Sequence, residues 1–484
     1  MQLQYKKILV IFIVCVGLFF VARPVIEPDF FWHIRHGSEI LRSGFKYTDQ
    51  YSYTMPSFPF VNHSWITSVL WSVIYIQLHL GYNGLILFCV LVAIAGVILI
   101  SKNTLWMIPL LATSYVYTFG VRTYVAPLLF LPVLFFLIDK YTSGYRKYLY
   151  AVPVVLLVWA NSHGSFLLGL LYIWGYFLVD VLPAKKSLLN KTQVCITFLI
   201  ASISTIITPY GTGIWVEALR TINNPLLKKY VAEWQPLNSF PSFSLIAIIA
   251  LWVASVWYTK RVKWIHLFTI LLFVASIFTS RIAVLFCVSA SFIIANSFVT
   301  FKETNKAKID TQRLSFLNNL LIVLFSILFM IEAFIIWKNR SETIHNFYPV
   351  SAVEFLKHHS YSGRIFSIIH WNNYMLLEIP EKPIFIDGRM MVWSQSNKTN
   401  ELDSTFQTYI DIAILEKPFT DVFDTYCIGT VLWNNAKSNE FWSKNIVSKD
   451  LPSRLDKMEW KLTYEDAISV VYERSLPKTC NTTK

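Results

Sequence analysis

From Tyr5 to Trp337 the sequence is a succession of apolar runs, most of them long enough, or nearly so, to cross a bilayer. A spanning helix needs roughly 20 predominantly apolar residues, and fewer where flanking groups snorkel or the bilayer thins. The runs are 5–22, 85–100, 104–119, 124–138, 148–160, 165–181, 192–207, 243–258, 262–279, 282–298 and 316–337, with 64–80 as an ambiguous twelfth. The chain is 55% hydrophobic, too apolar for a soluble surface, so lipid must be the solvent for most of it. Lys6 and Lys7 before an apolar stretch resemble the start of a signal peptide, but no small-residue cleavage site follows, and an uncleaved first span is the expectation.

Charge then orients the runs. The formal charge of +13 is not spread evenly: residues 338–484 hold 17 basic and 18 acidic groups, which leaves 25 against 11 in the first 337. The excess therefore belongs to the apolar part, where it reads as topology rather than as a nucleic-acid surface. Four connections are strongly basic: Lys140/Arg146/Lys147, Lys185/Lys186/Lys191, Lys260/Arg261/Lys263 and Lys302/Lys306/Lys308/Arg313. Counting about eleven spans, with 64–80 as an interfacial or re-entrant helix of the first external loop, puts all four on the side of Lys6 and Lys7. Counting 64–80 as a span reverses them relative to that end. The expectation is a multi-pass protein of the bacterial cytoplasmic (inner) membrane with its N-terminus inside. Segments 23–63, 161–164, 208–241 and everything after Trp337 then face outward.

At Lys338 the composition changes. Strand-like runs at 363–369 (GRIFSII), 382–387 (KPIFID) and 427–433 (CIGTVLW) alternate with helical patterns at 350–357 and 371–379. The fold class is accordingly an α-helical polytopic membrane protein, 1–337 with a large first external loop (23–82), carrying a small extracytoplasmic α/β domain at 338–484. Cys15, Cys89, Cys195 and Cys287 lie in apolar runs as core fillers, whereas Cys427 and Cys480 can pair only if the C-terminal segment lies outside the cytoplasm.

The polar groups on the outward side are the candidates for chemistry. Glu27 and Asp29 flank Pro28 just beyond the first span, where two carboxylates can take a proton from a hydroxyl or hold a divalent cation against a phosphate. They also read as two ordinary solvated acids at a helix end. His33, Arg35 and His36 follow, and Asn62, His63 and Trp65 close the loop, as a pyrophosphate or sugar pocket or as interfacial groups that satisfy one another. Asn161 and His163 in WANSHGS sit at membrane depth, where polar groups are costly unless they face a cavity or a partner. Arg122, Arg220 and Arg281 stand near outer span ends, where a guanidinium binds a phosphate in bidentate fashion or simply snorkels. Glu233 in EWQP is a second acid or part of a packed loop, and Asp387, Gly388 and Arg389 follow a strand-like run as site residues or as a plain Asp-Gly turn. There is no Walker loop, GxSxG elbow, HExxH or Rossmann fingerprint, and few acids lie inside the runs beyond Glu332, so nucleotide-driven pumping, zinc proteolysis and ion coupling lose support.

Taken in order, the ExD of Glu27 and Asp29, FWHIRHG, VNHSW, WANSHG, TPYG, EWQP, GRIF and PIFIDGR resemble bacterial GT-C superfamily membrane proteins. These are related to the dolichyl-phosphate-mannose protein mannosyltransferases and aminoarabinose transferases. The resemblance implies transfer of a sugar from a polyprenyl phosphate or pyrophosphate donor to an extracytoplasmic glycan, lipid or protein. It implies Asp29 as the base, with Glu27 supporting it or assisting a magnesium or manganese ion. Arg122 or Arg281 would hold the donor phosphate, and His63 and His163 would orient donor or acceptor, with His33, Asn62, Asn161 and Glu233 as further binding residues. The partners implied are membrane lipid, the lipid-linked donor and the acceptor, with no nucleic acid. The reading from another class is a non-catalytic glycolipid or polysaccharide transporter or assembly factor.

Overall fold

The computed structural model describes residues 2–24, 27–102, 104–185, 188–236, 242–259, 262–305, 310–343, 347–396, 402–416, 418–435, 448, 450–476 and 480. Of the basic connections, Lys186, Lys260, Arg261, Lys306 and Lys308 lie outside these residues. The described residues are mostly helical, 69%, with a small C-terminal sheet. Its residues pack as two compact units, one of 1–26, 62–218 and 232–342 and a second of 27–61, 219–231 and 343–484.

The first unit is a helical bundle. Among the described residues, five of its helices are long and apolar enough to cross a membrane: Gln4–Ala22, Gly81–Ser101, Val125–Thr142, Ser280–Thr304 and Gln312–Arg340. Six shorter apolar helices accompany them among the described residues: Trp65–Gln77, Met107–Val116, Phe166–Val181, Leu188–Ser204, Phe243–Tyr258 and Trp264–Phe278. The eleven runs therefore differ in span length. Run 148–160, for instance, begins in the 3₁₀ turn Arg146–Ala151, and only Val152–Ala160 is α-helical. The ambiguous segment 64–80 is the helix Trp65–Ser72, continued by a π-turn to Gln77 and ended at His79 and Gly81, whose φ angles are +52° and +56°.

Small residues and satisfied charges hold the bundle together. Gly81–Ser101 and Val125–Thr142 approach so closely that a Cβ on Gly96 would strike the Leu128 carbonyl. Glu332 accepts from the Ser244 backbone N–H (3.0 Å) and hydroxyl (3.1 Å), and Lys102 meets Asp139 at 2.7 Å. Arg340 donates to the carbonyls of Val21 (3.0 Å), Phe119 (2.7 Å) and Tyr117 (3.1 Å), which ties the end of the last long helix to backbone at the ends of two others. Leu320, Val323, Ile327, Ile331 and Phe334 on that helix are exposed, a surface suited to lipid.

The second unit centres on a four-stranded sheet of β1 (Arg364–Ser367), β2 (Ile428–Asn434), β3 (Lys461–Glu465) and β4 (Ser469–Glu473), in the order β1-β2-β4-β3. β1 runs parallel to β2 and the remaining pairs are antiparallel. Every residue of β2 is buried, the polar Thr430 and Asn434 included. Helices form at Val350–His358 and Ile369–Glu378. The expected strand at 382–387 is a correction, because it joins no sheet. Its Ile384 instead donates to the Tyr51 carbonyl (2.9 Å) and accepts from Tyr53 N–H (3.0 Å), so first-loop backbone satisfies it. Tyr53 Oη reaches the Ile365 carbonyl (2.7 Å), Thr54 Oγ1 the Phe385 carbonyl (2.6 Å), and Arg35 Nη1 the Leu376 carbonyl (3.1 Å). Phe31 packs edge-on against Tyr348 and Tyr374, at 5.1 and 5.2 Å between centroids.

Cys427 and Cys480 are disulfide-bonded across a separation of 53 residues. Closing a loop of that length removes unfolded-state entropy worth about 4 kcal/mol in the chain-entropy account. The double variant Cys427→Ser/Cys480→Ser should therefore unfold at markedly lower denaturant, followed by near-ultraviolet circular dichroism of the purified chain. An unchanged midpoint would mean that the bond does not constrain this unit.

Candidate functional site

Two clusters of polar side chains can do chemistry, one in each unit. In the first, Glu233 on the 3₁₀ turn Ala232–Trp234 bridges two guanidiniums. Arg281 Nη1 donates to Oε1 (2.7 Å) and Arg122 Nη1 to Oε2 (2.9 Å). Ser280 fixes the turn, its Oγ donating to the Glu233 carbonyl (3.1 Å) and its N–H to that of Gln235 (2.9 Å). Arg281 also lies over the rings of Tyr124 (4.7 Å) and Trp234 (5.6 Å), and Tyr124 Oη donates to the Arg281 carbonyl (2.6 Å). Arg281 Nη2 is 3.3 Å from His163 Nε2, while His163 Nδ1 is 2.8 Å from Ser165 Oγ. A guanidinium only donates, so Nε2 accepts from Arg281, while Nδ1 also faces the Ser165 backbone N–H at 3.0 Å.

Burial alone would raise the Glu233 carboxyl, but Arg281 and then Arg122 outweigh it and hold it below the usual carboxylate range. Glu233 thus spaces two guanidiniums, donors of the kind that bind an anion of the phosphate class. His63 lies beside this group, its ring edge-on to His163 at 6.1 Å. Burial, and then the charge of Arg281, pushes its imidazole down to about 4, and its buried Nδ1 has no hydrogen-bond partner among the described residues. The two asparagines of the set are joints. Asn62 donates to Ser68 Oγ (3.0 Å) and accepts from Ser64 N–H (2.9 Å) at the start of the Trp65–Ser72 helix. Asn161 accepts from Trp65 Nε1 (2.5 Å) and donates to the carbonyls of Leu157 (2.8 Å) and Ile207 (3.1 Å).

In the second unit Asp29 is the first residue of the Asp29–Ser43 helix, where the helix dipole favours negative charge, and it is exposed. Its Oδ1 accepts from Asn373 Nδ2 (3.4 Å) and lies against Gly388, where a Cβ would collide with it. Asn373 is buried, and its Oδ1 accepts from the Gly388 N–H at 3.1 Å. Glu27 is buried, and so is His33, stacked on Trp32 at 3.6 Å.

Beneath this group lies a buried charge triad. Arg389 donates through Nε to Asp387 Oδ1 and Oδ2 (both 3.0 Å), and through Nη2 to Asp387 Oδ2 (2.5 Å) and Asp49 Oδ1 (2.8 Å). Burial raises Asp387, and one guanidinium shared with Asp49 does not fully offset it. Arg389 is also flanked by the rings of Tyr51 (4.4 Å) and Phe60 (4.9 Å).

Sequence reasoning named Asp387, Gly388 and Arg389, and Trp234 beside Glu233, but not Asp49, Asn373 or Tyr124. The WNN triplet at 371–373 gave no sign that one amide faces the first loop, because that depends on the fold. No group of three or more His, Cys, Asp or Glu side chains able to hold a metal ion occurs among the described residues.

No family model matches the chain, and no curated protein matches it. The fold is GT-C-like, that of a membrane protein built from several apolar helices and a small C-terminal sheet. Among solved structures the chain is similar to the oligosaccharyltransferase of Archaeoglobus fulgidus. To its apo form the TM-score is 0.57 at 11% identity, over 98% of this chain and 75% of that one. To the form tethered by a disulfide bond to an acceptor peptide with the NVT sequon it is 0.56 at 12%, over 98% and 75%. To the complex with Zn and sulfate it is 0.50 at 10%, over 96% and 74%. At such identities the likeness is one of fold.

His36 supplies a pH test of the second unit. Burial, and then the charge of Arg389, pushes its imidazole from 6.5 down to about 3. Between those values the unfolded chain binds a proton that the folded chain refuses, so stability rises with pH across the window and falls on acidification. The thermal midpoint should drop more steeply from pH 6.5 to 4 in the wild type than in His36→Gln. Parallel curves would show that this imidazole is not held neutral.

Proposed function

We propose that the chain is a membrane glycosyltransferase that moves a sugar from a polyprenyl-(pyro)phosphate donor to an extracytoplasmic glycan, lipid or protein. The reading rests on one observation: an exposed carboxylate, Asp29, stands at a helix N-terminus in a fold shared over 98% of the chain with an oligosaccharyltransferase. In this reading Asp29 takes the proton of the acceptor hydroxyl as its oxygen attacks the anomeric carbon. The bond from that carbon to the phosphate oxygen breaks, and the leaving phosphate keeps the electron pair. Arg122 and Arg281 stabilise the charge that grows on the phosphate, His163 and His63 orient the donor, and Glu233 limits the local positive charge. Glu27 supports Asp29, and His33, Asn62 and Asn161 are further binding residues. No step is routed through a cation.

The compartment belongs to the same proposal. The Cys427–Cys480 bond supports an oxidising, extracytoplasmic location for 338–484, and with it the N-in arrangement of 1–337 in a bacterial inner membrane. A hydroxyl acceptor and a lipid-held donor meet only at the bilayer edge, so no cytoplasmic nucleotide site is needed.

Mass spectrometry of surface glycans and glycoproteins in a deletion strain tests the proposal directly. One sugar modification should disappear, return with the wild-type gene, and stay below about 1% of wild type with Asp29→Asn, since loss of a general base costs about 10²–10⁴-fold in rate. Full restoration by Asp29→Asn would favour the transporter or assembly-factor reading.

A further inference from the structure

We infer that Asn373 and Gly388 are positioning residues for the Asp29 carboxylate, so that the second unit sets the attack geometry of the reaction; this rests on the glycosyl-transfer reading above. Three contacts carry the inference. The Gly388 N–H donates to Asn373 Oδ1 at 3.1 Å, which fixes the amide's orientation, since only the oxygen end can accept. The nitrogen end is thereby turned toward Asp29 Oδ1, at 3.4 Å. Gly388 supplies the floor, because a Cβ there would land on Asp29 Oδ1.

The chemistry explains why such a clamp is useful. A general base must present one oxygen to the hydroxyl, within about 2.6–3.2 Å, and the other oxygen needs a donor that does not protonate it. A neutral amide meets that need. It orients Oδ1 through hydrogen bonding without handing the carboxylate a proton. The peptide carrying Gly388 is itself fixed, because its neighbours Asp387 and Arg389 are two members of the buried triad with Asp49. Asn373, on the buried face of the Ile369–Glu378 helix, is equally fixed. Both parts of the clamp therefore stand on rigid supports, as precise orientation requires.

The two substitutions separate positioning from folding. In Asn373→Asp the side chain keeps an acceptor for the Gly388 N–H but replaces the donor toward Asp29 with a second carboxylate. In Gly388→Ala the added Cβ meets the free end of a flexible side chain, so the carboxylate moves and the backbone stays. Each purified variant would be added to membranes of the deletion strain, in which the unused lipid-linked sugar accumulates, and transfer would be followed against donor and acceptor concentration.

The expected result is a kcat lowered at least tenfold in both variants, with the KM for the lipid-linked sugar within twofold of wild type. The thermal midpoint of Gly388→Ala should stay near that of wild type. Unchanged kcat in Gly388→Ala, or losses that follow the thermal midpoint or appear only in KM, would overturn the assignment even with Asp29→Asn inactive. Full activity in Asp29→Asn itself would instead remove the catalytic role of Asp29, and this inference with it.

Discussion

A buried guanidinium with two carboxylates governs the second unit. Arg389 is almost fully enclosed with Asp49 and Asp387, and none of the three could be left there alone, because removing one partner of a buried ion pair costs about 3–5 kcal/mol. Asp49 belongs to the 27–61 segment and Asp387 to the C-terminal one, so these ion pairs help to join two stretches far apart in sequence. The backbone exchange between Tyr51, Tyr53 and Ile384 follows the same seam. What sequence separates as a loop and a domain is one folded body.

That arrangement gives Asp29 its surroundings. An exposed carboxylate on a free loop would sample many orientations. Here the aspartate starts a helix whose Phe31 and Arg35 are locked against Tyr374 and Leu376, and its own oxygen rests on Gly388. The helical unit carries a second element of the same kind, in which Glu233 spaces two guanidiniums and Ser280 holds the turn beneath it. In both cases a group with the right chemistry is made useful by neighbours whose only task is orientation.

Much of the fold was legible because lipid imposes a simple rule on the chain. Apolar runs announce helices, and the change at Lys338 announces a different kind of structure. Span length was less legible: a run such as 148–160 does not reveal the 3₁₀ turn that begins it. The strand expected at 382–387 failed for a similar reason. Its alternation suits an extended segment, but whether the partner is a sheet or first-loop backbone is decided by tertiary contacts. β3 and β4 escaped notice because KLTYE and SVVYE are short and flanked by charge. In the site, His163 was visible as a polar group at a costly depth, Arg122 and Arg281 as guanidiniums near span ends and Glu233 as a loop acid, whereas their mutual contacts, and the part played by Asp49 and Asn373, arise only when distant segments meet.

The central claim, that the first loop and the C-terminal segment form one cooperative body around Arg389, is tested most directly by hydrogen exchange of the intact protein. Amides of the Asp29–Ser43 and Ile369–Glu378 helices should share one protection free energy, and Arg389→Ala should lower both together by about 3–5 kcal/mol. Fast exchange in Asp29–Ser43 beside a protected Ile369–Glu378, or loss of protection in only one of them, would contradict it.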